Sequence, residues 1–143
     1  MLFRVDRSRQ KKSRGRNSGG VAIYLKSTIA ADIIIEYSSG VIEALCLKID
    51  ALNLILCVVY RSPDNLAGGH RSTAEEFRLL TQKLSNELAS QPSPAPNVVI
   101  GGDFNLPHAS WPAGTATLGA SPDERNMLEL LSDLSTQHFL TPS

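Results

Sequence analysis

The chain has 143 residues, of which 42% are apolar and 20% are charged, and its formal net charge is zero. This length suits one domain with a hydrophobic core but hardly two, and the composition is that of a folded globular protein. No apolar run approaches the roughly 20 residues that span a bilayer, and the basic start lacks the apolar segment of a secretory signal. We therefore expect an intracellular protein.

Positive charge is concentrated at the start of the chain. Residues 1–26 hold eight of the fourteen lysines and arginines but a single acid, Asp6. Two interpretations are open, a solvated and poorly ordered arm or a segment that attracts phosphate-rich partners. The composition predicts a basic, loop-like lead-in over residues 1–20, followed by the folded domain over residues 21–143.

Short apolar segments predict strands in the first half of the chain, at residues 21–26, 33–37, 41–50 and 52–60. The last two are separated by little more than a turn near Ala51, which indicates a buried antiparallel hairpin. Cys46 and Cys57 would then face each other. We favour two buried free thiols there, because the interior of a cell is reducing.

A loop at residues 61–70 separates these strands from a segment with helical periodicity. A helix is predicted from about Ser72 or Thr73, where either residue could form a capping box with Glu75 or Glu76. Its apolar stripe consists of Phe77, Leu80, Leu84 and Leu88.

The second half of the chain alternates loops with a strand and a helix. A proline-rich loop leads into a predicted buried strand at residues 98–102, and a second loop covers residues 106–120. A helix then begins at Ser121, with Pro122 in its first turn and Glu124 placed to close a capping box. Its inward-facing residues are Met127, Leu130, Leu131 and Leu134. The mixture predicts an α/β or α+β layered domain with at least one largely antiparallel sheet.

The segment VVIGGDFNLPHASW, at residues 98–111, ends its apolar run in a carboxylate and a carboxamide. In an extended chain Asp103 and Asn105 point to one side, while Phe104 points into apolar packing. Gly101 and Gly102 would allow another backbone or a substrate to approach closely. Asp103 and Asn105 can orient a cation, a water or a phosphate, but they can equally form an Asx-type turn that closes the strand.

Several segments together indicate a family. GGVAIYLK, then VVYRSP, then a helix, then GGDFN resembles the endonuclease/exonuclease/phosphatase superfamily, most closely the apurinic/apyrimidinic-type endonuclease domain of LINE-like non-LTR retrotransposons. This resemblance begins at about Phe3 and implies two packed, mostly antiparallel sheets flanked by helices, in the four-layer sandwich of DNase I-like proteins. It also implies a Mg²⁺-dependent hydrolase of DNA phosphodiester bonds. The implied location is nuclear, with a reverse transcriptase domain in the intact parent chain.

The resemblance assigns roles to individual residues. Asp103 matches the aspartate that orients or deprotonates the attacking water, and it is the implied metal ligand; Asn105 and Tyr60 match the residues that hold the scissile phosphate. These roles agree with the need for a base near the water and donors near the phosphate. Arg61, Trp111 and His108 are further candidates for DNA contact. The alternatives are an ion pair of Arg61 with a surface acid such as Asp64, and loop packing for Trp111 and His108.

Two parts of the family pattern have no counterpart here. The glutamate that ligates the metal precedes the GG strand in the family, and residues 1–20 contain no glutamate; the Ser-Asp-His strand has no match after the last helix. Residues 21–143 therefore resemble a partial domain, which we expect to be inactive or nearly so alone. A non-catalytic nucleic-acid-binding remnant and a phosphatase or phosphodiesterase of the same superfamily remain as alternatives.

Overall fold

The computed structural model describes residues 1–6, 20–63, 73–110 and 115–137, with only the backbone given for residues 134–137. Within these residues the strands are β1 (Leu2–Asp6), β2 (Gly20–Tyr24), β3 (Asp32–Ser38), β4 (Ile42–Ile49), β5 (Leu54–Arg61), β6 (Asn97–Asp103), β7 (Ala109–Ser110) and β8 (Thr115–Ala116). The helices are α1 (Thr73–Ala89) and α2 (Pro122–Gln137), and a 3-10 turn at Asp50–Leu52 joins β4 to β5.

A four-stranded sheet in the order β3-β4-β5-β6 forms the centre of the described structure. Its first three strands are antiparallel, whereas β6 runs parallel to β5. Two parallel neighbours need a long connection, and α1 lies in the segment between β5 and β6. The carboxyl ends of β5 and β6 consequently lie side by side at one end of the sheet.

Both faces of this sheet are covered by apolar side chains. On one face the helices pack through buried residues such as Phe77 and Met127. On the other face the antiparallel pair β1-β2 packs through Val21 and Ile23 against Leu45. The protein is therefore a mixed α+β fold of packed, mostly antiparallel sheets flanked by helices, as predicted, and the described residues form three layers of the expected four-layer sandwich.

Most of the predicted elements are confirmed by this arrangement. The strands around residues 21–26 and 33–37, the hairpin over residues 41–60 and both helices are present. The stripe of α1 is buried at Phe77, Leu80 and Leu84. The Ser72 cap and the side chain of Leu134 lie outside the described residues. No helix in the described part of the chain is long and apolar enough to cross a membrane.

The cysteine prediction is wrong. Cys46 and Cys57 are register partners on β4 and β5, with their Cα atoms 4.1 Å apart, and their sulfur atoms form a disulfide. Directly opposite residues on antiparallel strands bring their side chains closest together, so the hairpin itself places the two sulfur atoms in reach of each other.

The loop-like prediction for residues 1–20 is wrong at its start. Leu2–Asp6 form β1, which pairs with β2 in a register that matches Val5 with Val21 and Asp6 with Gly20. Apolar Phe3 and Val5 alternate with charged Arg4 and Asp6, which is a strand pattern that the basic composition around it obscured. The structure does not describe residues 7–19.

Two further differences concern the second half of the chain. The strand that contains VVIGG is not buried, because β6 lies at the edge of the sheet as described and β1-β2 covers β3, β4 and β5 instead. Val98 is fully buried under the helices, whereas Val99 is exposed. The segment predicted as a loop at 106–120 contains the short antiparallel pair β7-β8.

The two glycines before Asp103 have different surroundings. Gly102 has a φ of 148°, and a Cβ atom there would lie 1.8 Å from the carbonyl oxygen of Val59. A Cβ atom on Gly101 would meet nothing within 4 Å. The close approach of β5 and β6 beside the GDFN segment therefore depends on Gly102.

We expect Gly102→Ala to destabilise the protein by roughly 2 kcal/mol or more, because both the backbone conformation and the space exclude a methyl group. Gly101→Ala is the matched control, and urea unfolding of the two variants measures the difference. Equal midpoints for the two variants would contradict the close packing of β6 on Val59.

Candidate phosphate-binding site

Tyr60 and Asp103 are neighbours at the carboxyl ends of β5 and β6. They are register partners in the parallel pair, so their side chains project from the same face of the sheet. Tyr60 packs on the cluster that includes β1 and β2, which identifies that face as the one opposite the helices. Tyr60 is half-buried and Asp103 is exposed. A phenol and a solvent-accessible carboxylate thus lie on adjacent strands.

Asn105 lies immediately beyond the end of β6 and joins this pair. Its backbone N–H donates a hydrogen bond to Asp103 Oδ1 at 3.0 Å, and its φ is 45°. Its carboxamide Nδ2 donates to the carbonyl oxygen of Arg61 at 2.6 Å. The Asx-type turn that the sequence left open is therefore present, and this turn holds the carboxamide beside the strand end that carries Tyr60.

Phe104 points away from these polar groups, as the alternation of an extended chain predicts. Its ring meets Phe77 of α1 edge to face, with centroids 6.3 Å apart and an interplanar angle of 86°. This contact anchors the segment to the helix layer from the side opposite Asp103. The GDFN segment is consequently fixed between the core and the polar end of the sheet.

Arg61, which follows Tyr60, is directed into the protein and is fully buried. Its Nε donates to Thr73 Oγ1 at 2.8 Å, and its Nη1 donates to the carbonyl oxygen of Asn105 at 3.0 Å. Its Nη2 forms a salt bridge with Asp123 Oδ2 at 3.0 Å. This placement differs from both predictions for Arg61, which were contact with DNA and an ion pair with an acid at the protein surface. The guanidinium instead contacts groups inside the protein. Asp64 lies outside the described residues.

Asp123 connects the same network to both helices. Its Oδ1 accepts a hydrogen bond from the Ala74 N–H at 3.1 Å, and its Oδ2 accepts one from the Thr73 hydroxyl. Asp123 itself lies in the first turn of α2. One carboxylate therefore caps the start of α1, forms part of the start of α2 and neutralises the buried guanidinium.

Glu43 is an acid that the sequence pattern did not identify as part of this region. It is fully buried, and it is the register partner of Tyr60 on the side away from Asp103. Glu43, Tyr60 and Asp103 therefore form a row across three strands on one face of the sheet. Its position inside the apolar run at residues 41–50 could have identified Glu43 from the sequence, because buried acids are rare.

His108 and Glu124 form a second polar pair near the site. His108 Nδ1 lies 3.1 Å from Glu124 Oε1, and Glu124 is buried in the first turn of α2. The backbone N–H of Glu124 donates to Ser121 Oγ at 3.1 Å, as predicted for the helix start, but its carboxylate contacts His108. Trp111, the other candidate on this loop, lies outside the described residues.

The described carboxylates do not form a cluster that would hold a divalent cation by itself. In the described ranges, no group of three or more His, Cys, Asp or Glu side chains could hold a metal ion. Asp103 is the exposed carboxylate at the site, and Mg²⁺ usually takes one or two carboxylates together with water and substrate oxygens. The described residues thus do not complete a protein metal site, although Asp103 could contribute one ligand.

The model of the Endonuclease/Exonuclease/phosphatase family matches residues 3–128, a range that runs from Phe3 in β1 through β8 to the first turns of α2. No curated protein and no solved structure matches the chain. The matched range contains Tyr60, Asp103, Asn105 and His108.

We expect Asp123→Ala to destabilise the protein by about 3 kcal/mol, because it leaves the buried Arg61 guanidinium without its carboxylate. Glu75→Ala is the control, since it removes an exposed carboxylate that pairs with Arg78 on α1. That pair should contribute little. Denaturant unfolding measures both variants, and an Asp123→Ala midpoint as high as that of Glu75→Ala would show that the buried network is not stabilising.

Proposed function

The chain belongs to the endonuclease/exonuclease/phosphatase family, and on this premise we propose that its site acts on the phosphodiester bonds of DNA. The family consists of hydrolases of phosphoester bonds. The observation that carries the proposal is the adjacency of Tyr60, Asp103 and Asn105, through strand register and the hydrogen bonds of Asn105. These are the groups that the resemblance assigns to the attacking water and the scissile phosphate.

Each of these side chains has a role that its chemistry permits. The Asp103 carboxylate is exposed and can accept a proton from a water or orient it for attack. The Asn105 carboxamide uses one N–H for the Arg61 carbonyl and carries a second that can donate to a phosphate oxygen. The Tyr60 hydroxyl is a further donor. Neither donor is negatively charged, so both can stabilise phosphate without repelling it.

Mg²⁺ belongs to the proposal as the cofactor that the resemblance implies. Asp103 is the described side chain that would ligate it, and the cation when bound would polarise a phosphoryl oxygen. Because the described residues offer no complete set of metal ligands, we propose that the 143-residue chain alone cleaves DNA poorly.

DNA is the substrate that we favour within the family's range. Six lysines and arginines and no acid lie between Asp6 and Gly20, and this charge would attract the phosphate backbone. The retrotransposon-type parent chain, its reverse transcriptase and a nuclear location are part of the same proposal, on the motifs quoted above. Arg61 is proposed here as support for the site, and Trp111 remains a candidate for DNA contact.

The second candidate function is non-catalytic binding of nucleic acid. The incomplete donor set around Asp103 favours it. Binding measured at two salt concentrations, in parallel with cleavage, separates the two functions. Affinity that falls steeply with salt and no cleavage at any protein concentration would favour binding alone.

For cleavage, we expect trace nicking of supercoiled plasmid when the protein is in excess and Mg²⁺ is present. Asp103→Asn should reduce that nicking by at least about 100-fold, because it removes the base and the charge. The variant keeps a side-chain oxygen for the Asn105 N–H, so the turn is preserved. Asp32→Asn, on the far edge strand, is the control. Trace nicking that is equal in all three proteins would contradict the role of Asp103.

For binding, we expect Asn105→Gly to weaken affinity for a short DNA duplex roughly ten- to a hundredfold, the loss expected for one hydrogen bond to a charged group. Glycine tolerates the positive φ, so the backbone is preserved. Asn53→Gly is a matched control, because Asn53 also has a φ of 45° and lies at the opposite end of β5. Fluorescence anisotropy measures the affinities, and equal weakening by both variants would contradict the proposal.

A further inference from the structure

His108 is held in a defined orientation by a buried carboxylate. Its Nδ1 lies 3.1 Å and 3.2 Å from the two carboxylate oxygens of Glu124, and its backbone N–H donates to Glu124 Oε2 at 3.3 Å. Glu124 is only 4% exposed, and the Ser121 hydroxyl fixes its backbone. A carboxylate at Nδ1 sets which ring nitrogen faces the protein.

The backbone of His108 and the far edge of its ring also have defined neighbours. The carbonyl oxygen of His108 accepts hydrogen bonds from the backbone N–H of Thr117 at 2.8 Å and from its hydroxyl at 3.1 Å. A Cβ atom on Gly119 would lie 3.3 Å from Nε2, so the ring packs over a glycine backbone. Of these described neighbours, Glu124 is the one with an ionisable side chain.

Despite these constraints, the side chain remains accessible to solvent. The side chain of His108 is 39% exposed, whereas that of Glu124 is buried. The hydrogen bonds that attach this loop to α2 use only Nδ1 and the backbone of His108. Nε2 is therefore the ring nitrogen that is not needed to attach the loop to α2.

The position of His108 in the chain places it near the proposed phosphate site. It follows Asn105 by three residues, so the two Cα atoms can be no more than about 11 Å apart. The segment between them is anchored at one end by Phe104 on Phe77 and at the other by Glu124. A DNA backbone that contacts Asn105 can thus present the same or the next phosphate to this ring.

We propose that His108 is a phosphate-binding residue of this site. This proposal rests on the proposed function above. Glu124 holds the ring through Nδ1–H, and the protonated ring donates its Nε2–H to a phosphodiester oxygen of DNA. Nε2 takes this proton from solvent when DNA binds, and no other covalent bond is made or broken. Glu124 acts as a positioning residue, because it reaches the phosphate only through the ring.

Two substitutions distinguish phosphate binding by His108 from a role in attaching the loop to α2. His108→Asn keeps an N–H near the position of Nδ1 for Glu124 but has no atom at the position of Nε2. His108→Gln places an N–H near the position of Nε2. We expect His108→Asn to weaken binding of a 12-base-pair DNA duplex about tenfold with an unchanged thermal midpoint, and His108→Gln to retain part of the lost affinity.

The outcomes distinguish this inference from the proposed function. If Asn105→Gly weakens binding and His108→Asn does not, the inference is overturned and the proposed function stands. If neither variant weakens binding, both fail. If only His108→Asn weakens binding, the inference is also overturned, because it assigns His108 to the site of Asn105.

A second measurement uses the unaltered protein and so does not depend on the folding of a variant. In ¹⁵N-histidine NMR spectra, with His70→Gln and His138→Gln used only for assignment, we expect the Nε2 signal of His108 to move on addition of the duplex towards that of a protonated, hydrogen-bonded nitrogen. The Nδ1 signal should keep the character of a donor to Glu124. An Nε2 signal unchanged at saturating DNA would overturn the proposal.

Discussion

The burial of the Arg61 guanidinium is the constraint on which the described end of the sheet depends. A guanidinium removed from water needs an acceptor for its N–H groups and a negative charge nearby, or the cost of desolvation is several kcal/mol. Thr73 at the start of α1, Asp123 at the start of α2 and the carbonyl oxygen of Asn105 provide these partners. Both helix starts and the GDFN segment must therefore meet at this cation.

The polar site follows from that constraint and from strand alternation. Tyr60 and Arg61 are consecutive, so one projects towards the exposed end of β6 while the other projects towards the helices. In the proposed function, the Tyr60 hydroxyl is a hydrogen-bond donor to phosphate, and the Arg61 guanidinium supports the neighbouring groups. Asn105 is held in a left-handed conformation by bonds to Asp103 and to Arg61. Such preorganisation is what a site that stabilises developing charge requires.

Local patterns in the sequence predicted the elements well, because each depends on a short range of residues. Alternation and helical spacing located β2 to β6 and both helices, and the turn near Ala51 implied that Cys46 and Cys57 face each other. Such local patterns could not predict contacts between residues that are far apart in the sequence. Arginine is rarely fully buried, and the carboxylate that neutralises Arg61 lies 62 positions further along the chain, whereas Asp64 was the nearest acid in sequence. The burial of Glu43 and the pairing of His108 with Glu124 likewise depend on register and on the docking of α2.

The central claim is that Tyr60, Asp103 and Asn105 serve one phosphate while Arg61 supports them from within. A crystal structure of the protein bound to a short DNA duplex tests this most directly. The account predicts a single phosphate in hydrogen-bonding distance of the Tyr60 hydroxyl and the Asn105 carboxamide, with the Asp103 carboxylate beside it and Arg61 still buried. DNA bound to another face, or an Arg61 side chain that turns outward to contact a phosphate, would contradict it.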